Sequence, residues 1–186
     1  MRSEPDRPNP TIAFVAASSF VSRLARAHIG ATYNQYARSP KLRGRLSDYL
    51  ERRAAAKILL VGEAPGYRGA RVSGLPFTSE RQLTGSGPAE ASATIVHRVL
   101  TELGLGDHVL LWNVVPTHPG TDGTNRRPTR DEVDASRAFL DELAAGRRVI
   151  AVGRLAESVL GAPYVRHPSH GGAVEFRAGL RRLLVA

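Results

Sequence analysis

The chain has 186 residues, a length that suits one α/β domain with its own core and leaves little room for two. It holds no cysteine, which excludes disulfides, a cysteine nucleophile and thiolate-bound zinc or iron–sulfur centres. Lysine and arginine number 26 against 17 acidic residues, a net charge of +9, and all but two of the basic residues are arginine. A genome rich in Arg and Ala codons accounts for the preference for arginine, but not for the net sign, which favours a polyanionic partner held through phosphate contacts.

The first ten residues are polar and proline-rich, with no apolar core like that of a secretory signal, and read as a flexible lead-in to a single domain over 11–186. No run is long and apolar enough to suggest a membrane span. A cytoplasmic location and a monomer are expected. Helical spacing predicts a helix from Ile12 to Ala27 and a second from Leu42 to Arg53, the latter with an apolar stripe of Leu42, Leu46, Tyr49 and Leu50 and an arginine-rich solvated face. Four apolar runs read as buried strands: Lys57 to Val61, Val109 to Val115, Val149 to Val152, and Tyr164 to Val165. Between and after them, helices are expected at Ala89 to Leu103, Arg130 to Ala145, Leu155 to Leu160 and Val174 to Leu184. Strands alternating with helices imply right-handed crossovers and a parallel sheet covered on both faces. Ligands of such sheets sit beyond the carboxyl ends of the strands, and the chemistry is sought there.

The first strand runs into Gly62-Glu63-Ala64-Pro65-Gly66-Tyr67, the second into Trp112-Asn113-Val114-Val115-Pro116-Thr117, and the fourth into Arg166-His167-Pro168-Ser169-His170. Gly74-Leu75-Pro76-Phe77-Thr78 lies between the first two. Polar groups and permissive glycines from distant parts of the chain thus converge on one rim. Trp112 alternates with Asn113 and is expected in the core. The other nucleotide-site and hydrolase signatures fail on spacing: no G-x-G-x-x-G follows the first strand, and neither a G-x-x-x-x-G-K-S/T loop nor a G-x-S-x-G elbow occurs. Thr84-Gly85-Ser86-Gly87 reads as a flexible loop. Six histidines remain as metal ligands, but only His167 and His170 stand close together, without a neighbouring carboxylate, so no metal site is expected.

Taken in order, Gly62-Glu63-Ala64-Pro65-Gly66, Gly74-Leu75-Pro76-Phe77, Asn113-Val114-Val115-Pro116 and His167-Pro168-Ser169 resemble the motifs of the uracil-DNA glycosylase superfamily, over roughly residues 57 to 172. The run Asn125-Arg126-Arg127-Pro128 is similar to the N-R-x-P stretch of its iron–sulfur branch. The resemblance implies a three-layer α/β/α fold with a four-stranded parallel sheet, uracil-containing DNA as partner, base flipping, and hydrolysis without a cofactor. It implies catalytic roles for Glu63 and His167, and substrate binding by Gly62, Ala64, Pro65, Gly66, Tyr67, Phe77, Asn113 and Ser169. The chemistry of each side chain suits its role. A carboxylate at Glu63 orients water or stabilises a cationic sugar, Phe77 stacks on a flat ring, and the Asn113 amide matches O4 and N3–H of uracil. His167 donates to O2 of the leaving base, and Ser169 with the loop glycines approaches the DNA backbone. Structural readings stand beside these: Glu63 as a helix cap or arginine partner, Phe77 as core, Asn113 as a loop brace, His167 as a satisfied loop histidine.

Three departures matter. Without cysteine, the cluster of the iron–sulfur branch does not carry over. The common cytosolic branch places Asp in the third slot of the first motif and Tyr in the fifth, where this chain has Ala64 and Gly66, with Tyr67 one position later. Glu63 is then the candidate base, and the task of rejecting the thymine methyl falls to a shifted Tyr67 or is left unassigned. No large apolar residue follows Ser169 to wedge into a duplex. The two lysines, Lys41 and Lys57, stand away from the expected site, which favours simple hydrolysis over a Schiff-base step. Two rival functions are a protein that grips uracil or abasic DNA without cleaving it, and a hydrolase of free nucleosides or nucleotides; a small substrate does not call for +9.

Overall fold

The computed structural model describes residues 10–184, so the predicted lead-in lies outside the described residues except for Pro10, which opens the first helix. That helix, α1 (Pro10–Arg26), is followed by α2 (Gln35–Arg38) and α3 (Pro40–Arg52). Ser39 starts α3, its hydroxyl accepting the Leu42 N–H at 3.3 Å, with Pro40 pre-set for the first turn. Strand β1 (Ile58–Gly62) leads through two short helices, α4 (Ala70–Ser73) and α5 (Glu80–Thr84), to α6 (Ala91–Glu102) and β2 (Val109–Asn113). The rest runs α7 (Arg130–Ala144), β3 (Arg148–Val152), α8 (Arg154–Leu160), β4 (Tyr164–Val165) and α9 (Ala173–Leu184). Thr129-x-x-Glu132 forms a capping box at the start of α7. No helix among the described residues is long and apolar enough to cross a membrane.

The four strands form one parallel sheet in the order β2-β1-β3-β4. Alternation along the strands sorts the side chains into two cores. Leu59, Val61, Leu110, Trp112 and Ala151 face α1, α3 and α7; Leu60, Leu111, Ile150 and Val152 face α6 and α9. Trp112 is fully buried, edge-on to Phe20 with centroids 5.5 Å apart, and Phe20 meets Phe139 at the same distance. This is the expected three-layer α/β/α arrangement.

The local differences have physical causes. β2 was expected to reach Val115 but leaves the ladder at Asn113. The Val114 and Val115 N–H groups still donate to the carbonyls of Gly62 (2.8 Å) and Glu63 (3.1 Å), but the chain bends at these buried valines instead of extending the strand. The helices α2, α4 and α5 span four or five residues, too few for a periodic stripe. Thr84 closes α5, and Gly85 follows it in the left-handed region (φ +78).

Candidate active site

Parallel pairing brings the carboxyl ends of all four strands to one edge, and the loops leaving them enclose a cleft of about 360 Å³. Its position follows from the sheet topology.

One wall is Phe77, buried at φ +51, a left-handed backbone that an aromatic residue adopts only when its surroundings enforce it. The enforcement is visible. Ser73 Oγ donates to the Thr78 carbonyl (2.6 Å) and accepts the Leu75 N–H (3.1 Å), and Thr78 Oγ1 donates to the Pro76 carbonyl (3.0 Å). Nε2 of His97 on α6 lies 3.0 Å from the same hydroxyl. Gly62 does not line the cleft itself. A Cβ there would overlap the tip of the Phe77 ring and come 3.0 Å from Asn113 Oδ1, so glycine lets the aromatic wall close onto the end of β1.

Asn113 pairs in register with Gly62 and shares the sheet face of Leu111, which aims its side chain toward Phe77. It is 4 % exposed and lines the cleft, and among the described residues nothing hydrogen-bonds to its amide. The loop brace considered from sequence is therefore absent, and the amide's donors and acceptor are free for a ligand.

His167 leaves β4 with its ring tilted 32° to Phe77, centroids 6.3 Å apart. Its Nδ1 lies 3.2 Å from the Ser169 N–H and 2.8 Å from Ser169 Oγ. A backbone N–H only donates, so Nδ1 is an acceptor and the ring proton sits on Nε2. Burial pushes the His167 pKa below the usual histidine range, with a smaller contribution from His170, so the neutral ring is the resting form. His170 is exposed, at φ +51, with Nδ1 3.0 Å from Ser169 Oγ.

Glu63, Ala64, Pro65 and Gly66 line the cleft from β1. Burial raises the Glu63 carboxyl above the ordinary carboxylate range, and the charge of Arg127 pulls it partly back. Among the described residues Glu63 has neither an ion pair nor a capping bond. Tyr67, expected from sequence to bind substrate, is not part of the lining. Its N–H donates to Asn125 Oδ1 (2.9 Å) and its ring lies 5.3 Å from the Arg68 guanidinium.

Sequence reasoning missed two residues here. His118 is fully buried, with Nδ1 2.7 Å from the Pro65 carbonyl and Nε2 3.0 Å from that of Thr121. Together with the Asn125–Tyr67 bond, it clasps the loop after β2 to the loop after β1. The buried Glu132 anchors the same segment by receiving Arg126 (2.8 Å). The second is Glu90, just before α6, whose carboxylate reaches the cleft between Gly66 and Gly69. The glycines signal a close approach there, but nothing local says by what. Arg126, Arg127 and Arg154 complete the rim, Arg126 paired with Glu132 and Arg154 with Glu157 (2.7 Å). Among the described residues no group of three His, Cys, Asp or Glu side chains is placed to hold a metal ion.

The profile of the Uracil DNA glycosylase superfamily matches residues 51–183. The chain belongs to that superfamily. Among solved structures, SMUG2 of Pedobacter heparinus superposes with a TM-score of 0.66 at 12% identity, covering 91% of this chain and 99% of that one. UNG of Nitratifractor salsuginis gives 0.45 at 16% identity, over 94% and 95%. Comparison with curated proteins found no match. The SMUG2 likeness supports the α/β fold, and the superfamily places the chain among glycosylases, hydrolases of N-glycosyl bonds that act on DNA.

Proposed function

We propose that this protein is a monofunctional uracil-DNA glycosylase that flips uracil out of DNA and hydrolyses its N-glycosidic bond, leaving an abasic site. The observation that carries this reading is the meeting of Glu63, Phe77, Asn113 and a neutral, Nε2-protonated His167 in one cleft, each delivered by a different segment.

The flipped base lies against Phe77, with N3–H and O4 toward the Asn113 amide and O2 toward His167 Nε2–H. As the C1′–N1 bond breaks, its electron pair stays with the base and charge gathers on O2. The His167 donor, fixed beforehand by Ser169, meets that charge without reorganisation. Positive charge develops on the sugar, within reach of the Glu63 carboxylate. Water adds to C1′ and gives its proton to that carboxylate, and the departing uracil anion is then protonated. A carboxyl raised by burial suits a base working near neutrality. No lysine lines the cleft, which supports direct hydrolysis over a Schiff-base route. The arginine rim and the net charge of +9 suit phosphate contacts on either side of the flipped nucleotide.

The test is a labelled oligonucleotide carrying one uracil, incubated with the protein in chelator and then treated with alkali. Strand cleavage at the uracil is expected. Binding without cleavage would favour the rival that only grips uracil or abasic DNA.

A further inference from the structure

Glu90 has no part in the chemistry above, yet its side chain is placed as though it had one. It stands at the N-cap of α6 (φ −125, ψ 121) but makes no capping hydrogen bond. The side chain turns instead into the cleft, where among the described residues neither carboxylate oxygen has a hydrogen bond or an ion pair, although three arginines share the same lining. Burial pushes its carboxyl above the ordinary range, so the protein bears a cost for keeping it there. A Cβ built on Gly66 would overlap Glu90 Oε1, and one on Gly69 would overlap Oε2. The carboxylate therefore fills the volume that side chains at those two positions would take.

This inference rests on the base orientation proposed above. Phe77 covers a face of the pyrimidine, Asn113 takes N3 and O4, and His167 takes O2. The edge left over carries C5 and C6, and Gly66 and Glu90 line the same cleft. We propose that Glu90, supplied from a separate helix, is the specificity wall of the base pocket and excludes pyrimidines substituted at C5, thymine first. A C5 methyl would need the volume that the Glu90 side chain fills. Uracil, with hydrogen at C5, does not.

The experiment compares single-turnover release of uracil and thymine from duplexes with the base opposite guanine, for wild type, Glu90→Ala and Glu90→Gln. Glu90→Ala should raise the thymine-to-uracil rate ratio roughly tenfold or more, the discrimination one methyl commonly commands. Glu90→Gln, which keeps the volume and loses the charge, should keep the wild-type ratio. Because the ratio is internal to each variant, partial loss of folded protein does not imitate the effect. Uracil release with an unchanged ratio in Glu90→Ala overturns this inference alone, as does a Glu90→Gln variant that admits thymine as readily as alanine does. No uracil release by wild type overturns the proposed function along with it.

Discussion

Replacing His167 by alanine removes one hydrogen-bond donor, and the size of the loss follows from how that donor is held. The Ser169 N–H at 3.2 Å makes Nδ1 an acceptor, and burial favours the neutral ring, so Nε2–H is the donor this side chain offers to the cleft it lines. A donor fixed in advance on developing oxyanion charge is worth about 2.7–4 kcal/mol, or about 10²–10³ in rate. Ser169→Ala is the informative companion. It removes the hydroxyl at 2.8 Å from Nδ1 but keeps the N–H that sets the tautomer. The expected loss is that of one neutral hydrogen bond, about 0.5–1.5 kcal/mol and so about twelvefold at most. Single-turnover excision with enzyme in excess reads the chemical step, and affinity for a non-cleavable duplex is measured separately. A His167→Ala rate within about fivefold of wild type would refute the oxyanion role of His167. A Ser169→Ala variant as slow as His167→Ala would refute the assignment of the tautomer to the backbone N–H.

Other outcomes follow from the same cleft. The excision rate should rise with pH through the raised pKa of Glu63, because the carboxylate is the active form and is lost as pH falls. Glu63→Gln should abolish that limb and slow the reaction by about 10²–10⁴. Arg127→Ala removes the charge that partly lowers this pKa, so the limb should move to higher pH in a pH–rate profile; no movement would show that Arg127 does not act on Glu63. Asn113→Asp replaces the amide NH₂ by an acceptor facing O4 of uracil, so uracil excision should fall by roughly 1–3 kcal/mol per unpaired group, and cytosine excision should become measurable where the carboxyl is protonated. Unchanged uracil release would mean that Asn113 does not read the base. Affinity for undamaged DNA should fall steeply with salt, with a log–log slope set by the phosphate contacts, and a flat response would favour a small substrate.

Much of this cleft was legible in the sequence for one reason: strands buried on both faces read as unbroken apolar runs, and parallel strands deliver their ends to one edge. Glu63, Phe77, Asn113 and His167 were placed by that logic together with the order of the motifs. The same signal overran at Val114 and Val115, because burial at a bend reads like burial in a ladder. The short helices were silent for want of periodicity, since α2 depends on Asn34 Oδ1, which accepts the Tyr36 and Ala37 N–H groups, and not on a stripe. Tyr67 had the right chemistry but does not line the cleft; its N–H donates to Asn125 Oδ1 and its ring lies beside the Arg68 guanidinium. His118 and Glu90 were out of reach because their partners, Pro65 and the Gly66–Gly69 turn, lie 20 or more positions away and carry no complementary side chain.

The central claim is that the C1′–N1 bond of deoxyuridine is hydrolysed. Mass spectrometry of a uracil-containing duplex incubated with the protein in chelator, without alkali, tests it directly. The account predicts free uracil and a full-length strand carrying one hydrated abasic site, with the phosphodiester backbone intact. An unchanged strand, or one cut at the backbone with uracil still attached to sugar, would contradict it.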